Sequence, residues 1–141
     1  MPQVDFYVLS ASGEEACARF ACRLSEKAYR LNHRIHLHLA NETIAHRLDE
    51  LLWTFRDGSF VPHDLLTGHD SIAPVTIGYS DIAPAQADLL INLTDEIPSF
   101  AESFERVAEI VDADPDRRQR SRRRYAEYRE KGFSISSHTI D

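Results

Sequence analysis

Val4-Asp5-Phe6-Tyr7-Val8-Leu9, followed at once by Ser10-Ala11-Ser12-Gly13, decides the fold. Apart from Asp5, the first six residues are those that fit a pleated, packed surface, and the small polar run after them is turn chemistry containing a helix cap. Past Gly13, Cys17, Phe20, Ala21, Leu24, Ala28 and Leu31 recur at helical spacing, with Glu14, Glu15, Arg19, Arg23, Glu26, Lys27 and Arg30 largely on the other side. The segment therefore reads as strand, turn, helix. The step repeats: Asn32 and His33 end the helix, Arg34 to Leu39 alternates with period two, and Asn41 can cap a helix carrying Ile44, Leu48, Leu51 and Leu52 to about Trp53.

Thr54 to Ala73 holds Gly58, Pro62 and Gly68 with little periodicity and is predicted to be a long loop. Pro74 to Tyr79 and Ala87 to Leu93 read as two more strands, the second nearly all apolar and hence central. Pro98 is expected to open a helix with Phe100, Phe104, Val107, Ala108 and Ile110 inward. Asp114-Pro115 opens the last helix, Gly132 closes it, and residues 133–141 form a tail. Strands alternating with helices predict one α/β domain over residues 1–141, a Rossmann-like three-layer sandwich with a mainly parallel central sheet.

Hydrophobic residues make up 43% of the chain and charged ones 28%, the balance of a folded globular domain. The longest apolar runs, such as Leu89-Leu90-Ile91, are too short to cross a bilayer, and the N-terminus enters a strand without a signal-peptide pattern. The expected location is cytoplasmic. Cys17 and Cys22, five residues apart on a helix, make no CxxC and point to different faces, so both read as reduced packing residues.

Nucleotide chemistry would show in the first strand–helix turn, and metal chemistry in the histidine cluster. The single glycine of Ser10-Ala11-Ser12-Gly13 supplies neither GxGxxG nor a P-loop, so the sandwich has no nucleotide-binding motif. His33, His36 and His38 cluster in sequence, but His33 lies in the turn and no acidic or cysteine ligand stands at a matching offset. Packing histidines are favoured over a metal site. No GxSxG or HExxH occurs. The expectation is a chain with no catalytic residue, cofactor or metal.

Two segments point outward. Trp53-Thr54-Phe55-Arg56-Asp57-Gly58-Ser59-Phe60-Val61-Pro62-His63 puts three large aromatics where a helix gives way to a loop. They can anchor a partner or fold back as a lid over the core. From Pro115 to Gly132 there are eight basic residues against three acidic ones, in a chain whose net charge is −7. Arg118, Arg122, Tyr125 and Arg129 follow i, i+4, i+7, i+11 and form one stripe, flanked by Arg117, Arg120 and Arg124. A solvated face is the bland alternative. It fits poorly, because six arginines within eight positions repel one another and have few acidic sequence neighbours. An arginine and tyrosine stripe suits an anionic, partly apolar ligand: a peptide ending in a carboxylate, or a nucleic-acid backbone.

These blocks also carry a resemblance. Ala45-His46-Arg47-Leu48-Asp49-Glu50-Leu51-Leu52-Trp53 with Ser59-Phe60-Val61-Pro62-His63, and Arg124-Tyr125-Ala126-Glu127-Tyr128-Arg129 with Gly132-Phe133, are long and unusual in order. Together with Asp5-Phe6-Tyr7 and Asp88 to Leu93 they make the whole chain similar to the chi subunit family of the bacterial DNA polymerase III clamp loader. The resemblance implies a Rossmann-like fold without a nucleotide site and a bridging role with two contacts. One would accept the acidic, phenylalanine-ended tail of the single-stranded DNA-binding protein through Arg118, Arg122, Tyr125 and Arg124, with Val111 as apolar wall; Arg118 replaces the family's usual lysine. The other would meet the psi subunit through Trp53, Phe60, Val61, Pro62 and His63. A monomer or 1:1 heterodimer is implied, with DNA touched only indirectly; the alternative is direct nucleic-acid binding by the arginine helix.

Overall fold

The computed structural model describes residues 2–58, 60–66, 71–84 and 87–140. Ser59, Gly68 and Asp141, which entered the sequence reading, lie outside them. The chain runs β1 (Gln3–Leu9), α1 (Glu14–Arg30), β2 (Ile35–His38), α2 (Glu42–Thr54), β3 (His63–Leu65), β4 (Val75–Gly78), β5 (Leu89–Asn92), β6 (Arg106–Val111), α3 (Pro115–Glu130) and β7 (Ser134–Ile140). The seven strands form one sheet in the order β3-β4-β2-β5-β6-β1-β7, and every pairing is parallel.

Strand parity sorts the core into two layers. Ile35, Leu37, Val75, Ile77, Ile91, Ala108 and Ile110 pack with Ala21, Cys22, Ala28, Ala45, Leu48 and Leu52 of α1 and α2. Their neighbours in the strands, Val4, Phe6, Leu90, Val107 and Val111, pack with Tyr128 of α3, with Phe133, and with Ala101 and Phe104 of a 3₁₀ turn. Side chains of successive strand residues point to opposite faces, so each strand feeds both layers. The result is the expected three-layer sandwich.

The caps follow the sequence at two helices and depart from it at one. Asn41 accepts a hydrogen bond from the Ile44 amide at 3.0 Å, and Asp114, ahead of Pro115, accepts one from the Arg117 amide at 2.9 Å. At α1 the N-cap is Gly13, with no side chain to do this. The Gly13 amide instead donates to the Asp112 carboxylate at 2.7 Å, a partner from the end of β6.

Three expectations are corrected. The helix expected after Pro98 is the short turn Ala101–Ser103 followed by β6. Val107, Glu109 and Val111 face α3 while Ala108 and Ile110 face α1 and α2, and a strand buried on both faces reads as a nearly continuous apolar run, which periodicity cannot separate from a helix. The tail expected over residues 133–141 is β7, parallel to β1 with Gln3 opposite Ser134 and Leu9 opposite Ile140. Its polar sequence, Ser-Ile-Ser-Ser-His-Thr-Ile, suits an edge strand wetted on one side. The loop expected over 54–73 contains the edge strand β3.

Candidate functional site

The packing of α3 explains its arginines. Its seven arginines and the lysine after it do not share one fate. Arg117 holds the Asp112 carboxylate through Nε at 2.9 Å and Nη2; Arg120 Nε lies 3.2 Å from Asp95; and Lys131 Nζ lies 3.4 Å from Glu102. Arg124 turns inward, 6% exposed, and its Nε donates to Glu109 at 3.0 Å while Nη1 donates to the Asp95 carbonyl at 3.0 Å. The repulsion read from the sequence is thus offset by acids supplied from β5, β6 and the turns after them. Among the described residues, Arg122, Arg123 and Arg129 alone of these cations have no hydrogen bond or ion pair.

Glu109 is fully buried on β6 and anchors this network. It accepts from Arg124, from the Tyr128 hydroxyl at 2.7 Å and from Asn92 Nδ2 at 2.9 Å. Burial pushes its carboxyl upward, and Arg124, Asn92 and Tyr128 pull against that shift. The same burial and the adjacent carboxylate push the Tyr128 hydroxyl far up, so it stays a donor. Two of the three buried side chains of α3, Arg124 and Tyr128, are thereby fixed, and they set the rotation of the helix.

That rotation builds a groove of about 300 Å³ between α3 and the C-terminal half of β1. Phe6, Val8 and Val111 make its apolar floor, Ser121 and Tyr125 one wall, and Ser137 of β7 the other, with Arg118 and Arg122 at the mouth. The Tyr125 ring, 40% exposed, lies 5.5 Å from that of Phe6. Arg118 is held by two backbone carbonyls, Asp112 at 3.2 Å and Leu9 at 3.4 Å, so its guanidinium is placed before any ligand arrives. Of the five residues expected in a tail-docking site, Arg118, Arg122, Tyr125 and Val111 meet here. Arg124 does not; it is corrected to an internal strut. Phe6, Val8, Ser121 and Ser137 were missed. Phe6 carried a signal, as an aromatic on the same strand face as Val4 and Val8, whereas Ser137 carried none.

The aromatic segment divides in a similar way. Trp53 and Phe60 are 55% and 63% exposed, with ring centroids 5.8 Å apart. His63 lies under Trp53, ring centroids 4.7 Å apart, with Nδ1 2.7 Å from the Val61 carbonyl and Nε2 3.1 Å from that of Asp49. Val61 is in the core, Pro62 is half-buried, and the His63 side chain is fully covered. Trp53 and Phe60 are thus the outward members of the segment, and Val61 and His63 lie beneath them and hold the loop.

At the C-terminal ends of β2, β5 and β6 a second crevice of about 490 Å³ opens between α1 and α2. A doubly wound sheet commonly takes a phosphate here, on the N-terminus of its first helix. The Asp112 carboxylate fills that position, bonded to the Gly13 amide and to Arg117, which holds its carboxyl down at about 2. A permanent anion at that amide opposes a phosphate. Of the clustered histidines, His33 faces Asp88 at 3.6 Å, while the His36 and His38 rings, with centroids 6.5 Å apart, lie against Phe100 and Phe104. Among the described residues no three His, Cys, Asp or Glu side chains are placed to hold a metal, and no helix is long and apolar enough to cross a membrane.

Comparison with known structures and sequences gives the fold and the family. A chain in the crystal structure of T4 UvsW superposes with a TM-score of 0.69 over 98% of this chain and 41% of that one, at 7% identity, a likeness of fold alone. DNA polymerase III subunit chi of Pseudomonas aeruginosa is 42% identical over 140 residues, covering 99% of this chain and 98% of the relative. The subunit chi of Escherichia coli K12 is 32% identical, covering 99% of each chain, and that of Haemophilus influenzae is 30% identical, covering 96% and 95%. The family model for the DNA polymerase III chi subunit, HolC, matches residues 1–136. With an identity above two-fifths across nearly the full length, and a family match that spans both the arginine helix and the aromatic segment, the chain belongs to the DNA polymerase III chi subunit family.

Proposed function

We propose that this replication accessory subunit is a non-catalytic bridge, whose α3 groove takes the acidic, phenylalanine-ended tail of the single-stranded DNA-binding protein and whose Trp53 and Phe60 patch meets psi on the clamp loader. One observation carries the first contact: a cation with no internal partner, Arg122, stands beside a pre-placed one, Arg118, over an apolar floor of Phe6, Val8 and Val111. A C-terminal phenylalanine presents an aromatic ring and a carboxylate a few ångströms apart. Burying the ring contributes about 1.5–3 kcal/mol, and the charge-assisted hydrogen bonds add about 1.5–3 kcal/mol before ordering costs.

Direct nucleic-acid binding is disfavoured by the partner count. Among the described residues, Arg118, Arg122, Arg123 and Arg129 of α3 have no carboxylate partner, too few phosphate contacts for tight binding at physiological salt. Psi engagement follows the usual anchor chemistry, in which two exposed aromatics at one spot supply most of the contact energy.

Calorimetry with an acidic peptide ending in Pro-Phe tests the reading. The wild-type chain binds it, Arg122→Ala weakens it by about tenfold or more, and raising salt weakens it further, because exposed charges are screened within about 10 Å at 0.1 M. No binding at low salt, or binding indifferent to Arg122→Ala, would sink the assignment.

A further inference from the structure

The crevice of about 490 Å³ beyond β2, β5 and β6 is larger than the α3 groove and lies where open α/β sheets commonly bind small molecules. Its floor is apolar: Leu39 and Ile110 are buried there, and Leu93 follows β5 beside them. Ile44, Arg47 and Leu51, spaced three and four apart, bring one face of α2 to it, and Cys17 and Ala18 bring one face of α1. Three arginines line it, and two are already spent. Arg117 is held by Asp112 and Arg124 by Glu109, whereas Arg47, exposed on α2, has no hydrogen bond or ion pair among the described residues. Its one acidic neighbour at helical spacing, Glu50, does not pair with it.

We infer that this crevice is a binding site for a small organic acid, a single carboxylate on an apolar chain, with the chain on the leucine floor and the carboxylate on Arg47. Charge decides against larger anions. A nucleotide phosphate meets Asp112 at the Gly13 amide, and a run of acidic residues meets Glu14, Glu15 and Asp95 at the exposed rim. A cation gains little, because Asp112, Asp95 and Glu15 already hold arginines and Glu14 sits in the first turn of α1, where the helix dipole stabilises it. What remains is one unspent guanidinium beside apolar surface, and that group takes one carboxylate through paired hydrogen bonds. The crevice belongs to the α1 and α2 layer and the groove to the α3 layer, so the two sites are tested separately.

Octanoate and 1-octanol, one chain with and without the carboxylate, are titrated into the whole protein while the methyl resonances of Leu39, Ile44, Leu51, Leu93 and Ile110 are followed. Octanoate moves them together and saturably. Arg47→Gln weakens octanoate by about fivefold or more, as the loss of a hydrogen bond to a charged group does, and leaves octanol within about twofold. Ala40→Phe, which puts a ring at the exposed mouth, weakens both ligands, and Arg122→Ala in the groove leaves both within about twofold. Methyls that octanoate does not move, equal losses of the two ligands in Arg47→Gln, or octanoate binding unchanged by Ala40→Phe overturn the proposal. So do methyl shifts driven only by the acidic peptide ending in Pro-Phe, which would assign the crevice to a protein partner.

Discussion

Arg124 Nε lies 3.0 Å from Glu109 Oε1 in a pair that is buried on both sides, 7% and 0% exposed. It joins the middle of α3 to the middle of the sheet, and it is the reason that Arg122 and Tyr125 face outward. A buried pair is costly to assemble and still more costly to break, since removing one partner strands the other charge. Glu109→Ala or Arg124→Ala is expected to lose about 3–5 kcal/mol in urea denaturation. Arg122→Ala, two positions away, is expected to stay within about 0.5 kcal/mol.

Stability will fall on mild acidification because of His36. Its ring is fully buried, Nδ1 sits 2.7 Å from Thr76 Oγ1, and the ring lies so near Gly78 that a methyl there would stand 2.8 Å from Cε1. Burial, then nearby His38, lowers its pKa to about 4. In the unfolded chain the imidazole takes a proton near pH 6.5. The folded state does not until about pH 4, so stability declines as pH drops through that window, by about 3 kcal/mol in all. Denaturation at pH 7, 5.5 and 4 reads the slope, and His36→Gln should flatten it; an unchanged slope would place the titration elsewhere.

Gly78→Ala tests the same packing by a different route. The added Cβ meets the His36 ring between two paired strands, where little can shift, and overpacking of this kind costs about 1–3 kcal/mol. Thermal melts would register it.

Trp53→Ala with Phe60→Ala should separate assembly from folding. Both side chains are mostly exposed, so the double variant keeps a melting temperature near that of the wild type, while capture of psi in co-purification falls to background. Tail-peptide affinity should not change, because the groove lies on another face of the sheet. A large loss of stability would mean the aromatics work as a lid.

Truncation after Phe133 removes β7. Seven residues pair with β1, and Ser137 forms a wall of the groove, so the shortened chain should lose on the order of 2–4 kcal/mol and much of its peptide affinity. A dispensable tail would leave both untouched.

The alternating strands and helices were legible because β1, β2, β4 and β5 carry strand residues between clear turns, and because Asn41 and Asp114-Pro115 mark helix starts. β6 was not, since a strand buried on both faces loses its period-two signature. β7 was not either, because polar residues on an edge strand look like a tail. The site was legible to the extent that spacing along one helix fixes a face: Arg118, Arg122 and Tyr125 had to align. Which arginine lies inside depended on Glu109, Asp95 and Asp112, supplied by strands and turns far off in sequence. Local charge counting cannot see such partners.

Amide and arginine Nε spectra of the labelled chain, recorded as the acidic peptide ending in Pro-Phe is added, test the central claim most directly. Resonances of Val8, Val111, Ser121, Arg122, Tyr125 and Ser137 should move together and saturate at one equivalent, with those around Trp53 and Phe60 unmoved. The same peptide with its terminal carboxylate amidated should bind far more weakly. Shifts centred on Trp53 and Phe60, or equal binding of the amidated peptide, would contradict a groove built for a terminal carboxylate and its ring.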